Sequence, residues 1–251
     1  MKREEFLSFI LGFILLFSIY HFPEFFSAFW IMAVFKTGFL IVALLLAFLQ
    51  GWKGLGAYGL GIKDRWLINL LKGLLTGIMG FSLSLWISSF LGFENVFFQQ
   101  SFDSVVKQLP MLLLMTAIPS LAEDLLTRGY LYGHLVNKME KKAWTVLSAL
   151  IFVLNHIWRL NDGFPVIAYL FLLGLLLAYT VWITKSLWMA FGIHWGSNIM
   201  FESSNAFFKT ESLVTHPGDT WVLAAVWGVF FLSVVLISRQ SPIVKDWRLL
   251  K

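Results

Sequence analysis

Long apolar runs, separated by short polar segments, occupy most of the chain. A membrane-spanning helix needs about 17–25 mainly apolar residues, and eight stretches reach or approach that length. They lie at about 5–22, 26–49, 68–91, 110–135, 143–159, 164–184, 187–205 and 221–238. The runs at 143–159 and 187–205 are the weakest, because both carry polar groups. The pattern predicts an all-α, polytopic membrane protein of about eight transmembrane helices.

The segments between the runs contain Gly, Pro, Asn and Asp, which favour turns. None of them has the length or composition of a separate soluble domain, so we interpret residues 1–251 as a single integral membrane domain. The first run follows a basic start and lacks a small-residue cleavage site, which predicts an uncleaved first helix rather than a signal peptide.

The distribution of basic residues predicts the orientation in the membrane, because cytoplasmic loops carry an excess of Lys and Arg. With a cytoplasmic N-terminus, 15 of the 19 Lys and Arg residues fall on the inner side and 4 on the outer side, and Arg128, one of the 15, is to be discounted because it lies within a span. The outer four are Lys36, Lys107, Arg159 and Lys209. We therefore predict that both termini are cytoplasmic. Lys36 lies inside a run and is expected to snorkel to the interface.

Composition agrees with a protein whose partner is the lipid bilayer. The chain is 59% hydrophobic and 13% charged, whereas soluble domains average about 25% charged residues. The net charge of +5 follows from the cytoplasmic excess of basic residues, so we predict no nucleic-acid partner. The chain has no cysteine, which excludes disulfides, cysteine metal ligands and a cysteine nucleophile.

Ionisable side chains inside spans are costly and usually functional, and three segments hold them. The segments are "AEDLLTRGYLYGHL" with Glu123, Asp124 and Arg128, "FVLNHIW" with His156, and "GIHWGSNIM" with His194 and Asn198. Asp124 and Arg128 are four residues apart on one helical face and can neutralise each other. Asp124 is therefore expected to be mainly structural.

Helical geometry assigns the remaining polar groups to two other faces. Glu123 points about 100° away from Asp124 and shares its face with Thr127, Tyr130 and His134. His194 and Asn198 are also four residues apart on one face. At 1.5 Å per residue the depths of Glu123, His156 and His194 overlap, so one pocket, opening towards the cytoplasmic side, can collect these groups. His134 and His216 are expected at the surface or in loops.

A carboxylate and an imidazole in such a pocket can deprotonate a water molecule, and a second His with an Asn can donate hydrogen bonds to a developing oxyanion. Together they are the parts needed to hydrolyse an amide. Simpler interpretations exist: Ser120 and Glu123 fit a capping box after Pro119, and a membrane His or Asn often bonds a neighbouring helix. Glu123, His156 and His194 also suit zinc. A non-catalytic immunity factor, scaffold or transporter is a further alternative.

The three polar motifs resemble the CAAX prenyl-protease and bacteriocin-processing enzymes, the CPBP or Abi family of intramembrane proteases. The family pattern EExxxR, FxxxH and HxxxN reads here as "EDLLTR", "FVLNH" and "HWGSN", in the same order and on successive spans. The upstream loop "GLGAYGLGIKDRW" is also similar. The resemblance covers about residues 50–205, and the first two spans carry little of it.

The resemblance implies an intramembrane endopeptidase that needs no metal or other cofactor. Glu123 and His156 would activate water, His194 and Asn198 would form the oxyanion hole, and Arg128 would hold the first motif in shape. Asp124 departs from the usual Glu and is one methylene shorter. The implied partner is a peptide or membrane-protein substrate, and the implied location is a bacterial cell membrane. Neither the substrate nor the oligomeric state follows from the sequence.

Overall fold

A computed structural model describes residues 2–62 and 65–240. Of the basic residues used for the orientation, Lys63, Lys245, Arg248 and Lys251 lie outside the described residues. The described helices are α1 Arg3–His21, α2 Phe29–Leu49, α3 Trp66–Phe90, α4 Phe102–Asp124, α5 Tyr130–Leu135, α6 Lys141–Asn155, α7 Phe164–Thr184, α8 Trp188–Ala206 and α9 Gly218–Gln240. Two strands, β1 Glu94–Phe98 and β2 Phe208–Ser212, pair antiparallel, with Glu94 opposite Ser212.

The all-α, polytopic membrane class is confirmed. Within the described residues, six helical segments are long and apolar enough to cross a membrane. They are Arg3–Phe25, Phe29–Leu49, Trp66–Phe90, Phe102–Leu135, Phe164–Thr184 and Gly218–Gln240. The other two predicted spans correspond to α6, which has only 15 residues, and to α8, which has 19 but is too polar. The count of eight therefore stays a prediction.

Glycines bring α8 against α3. Gly73 and Gly77 of α3 face Gly192 and Gly196 of α8, a small-xxx-small pattern on both helices. A Cβ added at Gly77 would lie 2.8 Å from the Ser197 amide nitrogen, and one at Gly196 would lie 3.0 Å from the backbone nitrogen of Ile78. Because no side chain separates the backbones, α8 lies deep in the bundle despite its polar residues.

The segment 102–135 forms one long rod with a single irregular turn. Pro110 and Pro119 lie within α4, and the helix continues through both. The irregular turn is Leu125–Gly129, a π-helical segment between α4 and α5. Ser148 of α6 donates a hydrogen bond to the Thr127 carbonyl at 3.0 Å, which satisfies an acceptor in this wide turn. Short π segments of this kind are frequent at functional sites.

The two ends of the bundle are distinct. The β1–β2 ribbon and a 3₁₀ turn at Ile157–Asp162 close the end where α1 and α3 finish and where α4 and α9 begin. At the other end, Lys138 pairs with Glu5, and the Tyr179 hydroxyl bonds Ser238 at 2.7 Å. The start of α1 and the end of α9 therefore lie at the same end of the bundle, which agrees with two termini on one side.

Reporter fusions can check the predicted orientation. We expect a fusion at Lys251 and one inserted within 206–220 to report opposite sides of the membrane, with the 206–220 fusion outside. The physical reason is the 15-to-4 asymmetry of basic residues across the two sides. A C-terminal fusion that reports the outer side would contradict both the orientation and the count of eight spans.

Candidate active site

Glu123 lies at the centre of a buried polar cluster formed by α4, α6 and α8. It is 6% exposed. Its Oε1 atom lies 3.4 Å from His156 Nδ1, and its Oε2 atom lies 3.8 Å from His194 Nε2. The carboxylate also accepts hydrogen bonds from Asn155 Nδ2 at 3.1 Å and from the Tyr20 hydroxyl at 3.3 Å. One carboxylate therefore faces two imidazoles and two neutral donors.

His156 is placed by the end of α6, not by its interior. The helix ends at Asn155, and His156 follows in a non-helical conformation with φ −96° and ψ 43°. Its Nδ1 atom bonds the Phe152 carbonyl at 2.9 Å. Because a carbonyl only accepts, Nδ1 carries the proton, and Nε2 is the nitrogen available to a water molecule or a substrate. The predicted span 143–159 thus ends earlier than expected, and this break turns the ring towards the cluster.

Asp124 contacts two partners, of which the sequence indicated one. It forms the expected ion pair with Arg128, and both side chains are fully buried. Its Oδ1 atom also lies 3.0 Å from His194 Nδ1. Because the carboxylate only accepts, His194 donates from Nδ1. The expectation that Asp124 serves mainly to neutralise Arg128 is therefore incomplete, since Asp124 also fixes the orientation of His194.

Asn198 is oriented by α4. Its Nδ2 atom donates to the Ser120 hydroxyl at 2.9 Å, and that hydroxyl donates to the Thr116 carbonyl at 2.7 Å. The chain of donors determines which end of the amide faces Ser120 and leaves the second Nδ2 hydrogen for another acceptor. Ser120 lies inside α4, so the capping-box interpretation is wrong: the helix neither stops at Pro119 nor starts again at Ser120.

Two openings reach these residues. A cavity of about 340 Å³ is lined by Phe152, His156, His194 and Asn198. A groove of about 710 Å³ between α4 and α8 also ends at Asn198 and is lined by Met111, Met115 and Pro119. Asn198 therefore lines both spaces.

The cavity extends to the ribbon end of the bundle, opposite to the end where α1 begins. Its mouth is lined by Glu94, Arg159, Thr210 and Asp219, which lie at the ribbon end of the bundle. If both termini are cytoplasmic, this mouth faces the outer side and not the cytoplasmic side. The similar depths of Glu123, His156 and His194 along their helices predicted a shared pocket, but they do not determine at which end of the bundle the pocket opens. Burial raises the pKa of the Glu94 carboxyl, and the negative charge of Asp219 raises it further.

Tyr130 and His134, which were predicted to share the helical face of Glu123, contact other residues in the structure. Tyr130 donates to the Phe9 carbonyl at 3.0 Å and accepts from Gln50 at 2.9 Å, and His134 also contacts Gln50. These groups lie about 10–16 Å further along the rod than Glu123, after the π turn has changed the helical phase. His134 is half-buried there, whereas His216 lies exposed in a loop as expected.

Four further polar residues belong to the surroundings of Glu123, a position that the sequence patterns did not indicate. Asn155 and Tyr20 donate to its carboxylate, and His21 and Lys36 lie behind them. Lys36 is buried, and its ammonium group bonds the Tyr20 carbonyl at 2.9 Å, so the expectation that it snorkels is wrong. The available signal was the cluster of polar residues in "YHFPE", which was interpreted only as a break between spans.

Comparison with known families identifies the segment that contains this cluster. Residues 105–200 match the family model described as "Type II CAAX prenyl endopeptidase Rce1-like". This segment is similar to that family. The match includes all three motifs and confirms the family suggested by their resemblance. Comparison with the curated proteins and with the solved structures gives no significant match.

The matched family indicates the class of activity. It is described as a CAAX prenyl endopeptidase, so the predicted enzyme class, a peptide hydrolase, is confirmed. Within residues 2–62 and 65–240, no group of three or more His, Asp or Glu side chains is arranged to hold a metal ion. The Rce1-like segment contains α6, α7, almost all of α4 and most of α8, while α1 and α2 lie outside it.

Proposed function

We propose that the chain hydrolyses a peptide bond at the level of the membrane with a water molecule activated by Glu123. The observation that carries the proposal is the position of the Glu123 carboxylate between His156 and His194, at 3.4 and 3.8 Å. A separation of 3.8 Å is too long for a direct hydrogen bond, and a water molecule can bridge such a gap. The water then lies next to the Glu123 carboxylate, which already accepts hydrogen bonds from Asn155 and Tyr20.

In the proposed reaction, Glu123 accepts a proton from the water as the oxygen attacks the scissile carbonyl carbon. The C–N bond then breaks, and the proton passes to the leaving amine. His156, whose Nε2 atom is available, assists this transfer. General acid–base catalysis of this kind contributes about 10²–10⁴-fold to a rate. The products are a new carboxylate and a new amine, so the reaction needs no oxidant, reductant or covalent intermediate.

His194 and Asn198 are proposed to stabilise the oxyanion that forms during attack. His194 already donates from Nδ1 to Asp124, so it can donate from Nε2 only when the ring carries two protons. The carboxylate of Asp124 stabilises that cation. Asn198 contributes its second Nδ2 hydrogen, since the first is held by Ser120. Both side chains are held in position before the reaction, His194 by Asp124 and Asn198 by Ser120, which favours effective electrostatic stabilisation.

A substitution at Asn198 tests the oxyanion assignment. We expect Asn198→Ala to lower kcat by about 10²–10³-fold with little change in KM, because the donor acts on charge that develops only in the transition state. The measurement uses the detergent-purified full chain and an internally quenched peptide that ends in a farnesylated CAAX sequence. An unprenylated copy of the peptide shows whether the lipid is required.

Ser120→Ala is the matched comparison for this test. It keeps the Asn198 amide but removes the acceptor that orients it, so its loss of kcat is expected to be smaller than that of Asn198→Ala. If Asn198→Ala cleaves the peptide at the wild-type rate, the oxyanion assignment is wrong, while the role of Glu123 stays open to its own test.

A further inference from the structure

The ends of α1 and α2 reach Glu123 through buried polar side chains. Tyr20 and Asn155, which donate to the two oxygens of the carboxylate, are 6% and 5% exposed. The other end of the Asn155 amide, Oδ1, lies 3.0 Å from His21 Nε2. The second ring nitrogen of His21, Nδ1, lies 2.6 Å from Glu24 Oε2. An unbroken series of contacts therefore joins Glu24, in the turn after α1, to the proposed catalytic base.

The hydrogen-bond inventory determines the direction of each bond in this series. A carboxylate only accepts, so Asn155 must present Nδ2 to Glu123 and Oδ1 to His21. His21 must then carry a proton on Nε2. Its other nitrogen, Nδ1, faces the carboxyl group of Glu24, so a second proton lies between these two groups, on Nδ1 or on Glu24. In either case Nε2–H points at Asn155 and fixes the amide in the orientation that Glu123 requires.

The far end of the series is also held in place. Glu24 accepts from Trp158 Nε1 at 2.9 Å and from Lys36 Nζ at 3.3 Å, in addition to its contact with His21. Lys36 is 4% exposed. These charges compensate one another, and a buried charge that had no partner would be costly. The arrangement is built from α1 and the turn that follows it, α2, α6 and the 3₁₀ turn after α6.

We propose that His21 and Asn155 are positioning residues for Glu123, and that the first two helices are part of the active site rather than an appended membrane anchor. The inference rests on the proposed role of Glu123 as the base. If His21 is removed, the Asn155 amide can rotate and present Oδ1 to the carboxylate, which is repulsive. The base then loses one of its two donors and its fixed orientation towards the water.

The test compares His21→Leu with His21→Gln in the detergent-purified full chain, with the quenched farnesylated peptide as the probe. We expect His21→Leu to lower kcat roughly 10- to 100-fold, as loss of a hydrogen bond to a charged group does, with KM nearly unchanged. His21→Gln should recover most of this loss, because its amide N–H can donate to Asn155. Ser18→Leu, on the exposed face of α1, is the control and should match the wild type.

Combined variants separate positioning from a general effect on folding. If His21 acts through Asn155, the variant with both His21→Leu and Asn155→Leu should be no slower than Asn155→Leu alone. Melting temperatures give a second readout that needs no substrate. We expect the effects of His21→Leu and Glu123→Gln on stability to be non-additive, and to become additive when Asn155 is replaced by Leu.

Each outcome bears on one claim. The inference is overturned if His21→Leu keeps the wild-type kcat, if His21→Gln is as slow as His21→Leu, or if the losses at His21 and Asn155 simply multiply. If the wild type does not cleave the probe, the melting temperatures decide, and additivity with Asn155 intact overturns it. Cleavage that survives Glu123→Gln instead refutes the proposed function, whereas an inactive Glu123→Gln beside an unaffected His21→Leu refutes only this inference.

Discussion

Replacing Glu123 with Gln is expected to lower kcat by about 10²–10⁴-fold, the contribution of a positioned general base. Gln has nearly the same shape but cannot take a proton from water. It still accepts from Asn155, and the Tyr20 hydroxyl can rotate to accept from the new amide, so the fold should be retained. Cleavage of the quenched farnesylated peptide and the melting temperature of the purified protein are the two measurements.

Glu140→Gln is a suitable control for this experiment, because it makes the same chemical change at an exposed position before α6. It should keep the wild-type rate. Addition of a strong zinc chelator to the wild-type protein tests the alternative in which Glu123 and the two histidines hold a metal. Activity that is lost on chelation and restored by zinc would favour the metal-dependent mechanism.

The second large effect is expected at the buried pair of Asp124 and Arg128. Removing one member of a buried ion pair typically costs about 3–5 kcal/mol, because the remaining charge is left without compensation. Asp124→Asn and Arg128→Gln should therefore both lower the yield and the melting temperature of the detergent-purified protein. Arg128 also lies 4.7 Å from the Phe152 ring, and this contact is lost with Arg128→Gln.

The double variant Asp124→Asn with Arg128→Gln separates stability from activity. It leaves no lone charge, so part of the stability should return. Its rate should stay about 10–100-fold low, because His194 no longer faces a carboxylate and a hydrogen bond to a charged group contributes about 1.5–3 kcal/mol. A double variant that is both stable and fully active would show that His194 does not need the charge of Asp124. An Asp124→Asn variant as heat-stable as the wild type, yet inactive, would instead make Asp124 a second catalytic acid.

The sequence was sufficient to predict the membrane class, because hydropathy over about 20 residues reflects a strong physical constraint. It was less informative for α6 and α8, whose polar residues are buried by other helices. Their burial depends on contacts such as Gly77 against Ser197, which no local pattern reveals. The π turn at Leu125–Gly129 was also not predicted, because an extra residue in a helical turn leaves no change in composition.

The candidate site was predictable where spacing along one helix decides the geometry. The pair of Asp124 and Arg128 follows from four-residue spacing, and the three motifs indicated Glu123 and the two histidines. Contacts between helices could not be predicted in this way. The bond from Asp124 to His194 joins residues 70 positions apart, and that from His21 to Asn155 joins residues 134 apart. Both depend on how the helices pack rather than on any local pattern.

The proposed chemistry also explains why the buried polar residues are concentrated in one region. Glu123, Asp124, Arg128 and His194 are all at most 6% exposed, and burial of such groups is costly unless each finds a partner. Here the partners come from α1, α4, α6 and α8. A non-catalytic scaffold does not require a carboxylate aimed at two imidazoles, and the effect of Glu123→Gln on turnover distinguishes the two interpretations.

The most direct test of the central claim is a comparison of protein termini in membranes from cells that carry the wild-type gene, the Glu123→Gln variant at the same expression level, or a deletion. Mass spectrometry of new N- and C-termini measures peptide-bond cleavage without assuming a substrate. If Glu123 activates the hydrolytic water, a set of termini present with the wild type will be absent from both other strains. Termini that are the same with the Glu123→Gln variant as with the wild type, but change on deletion, would contradict the account.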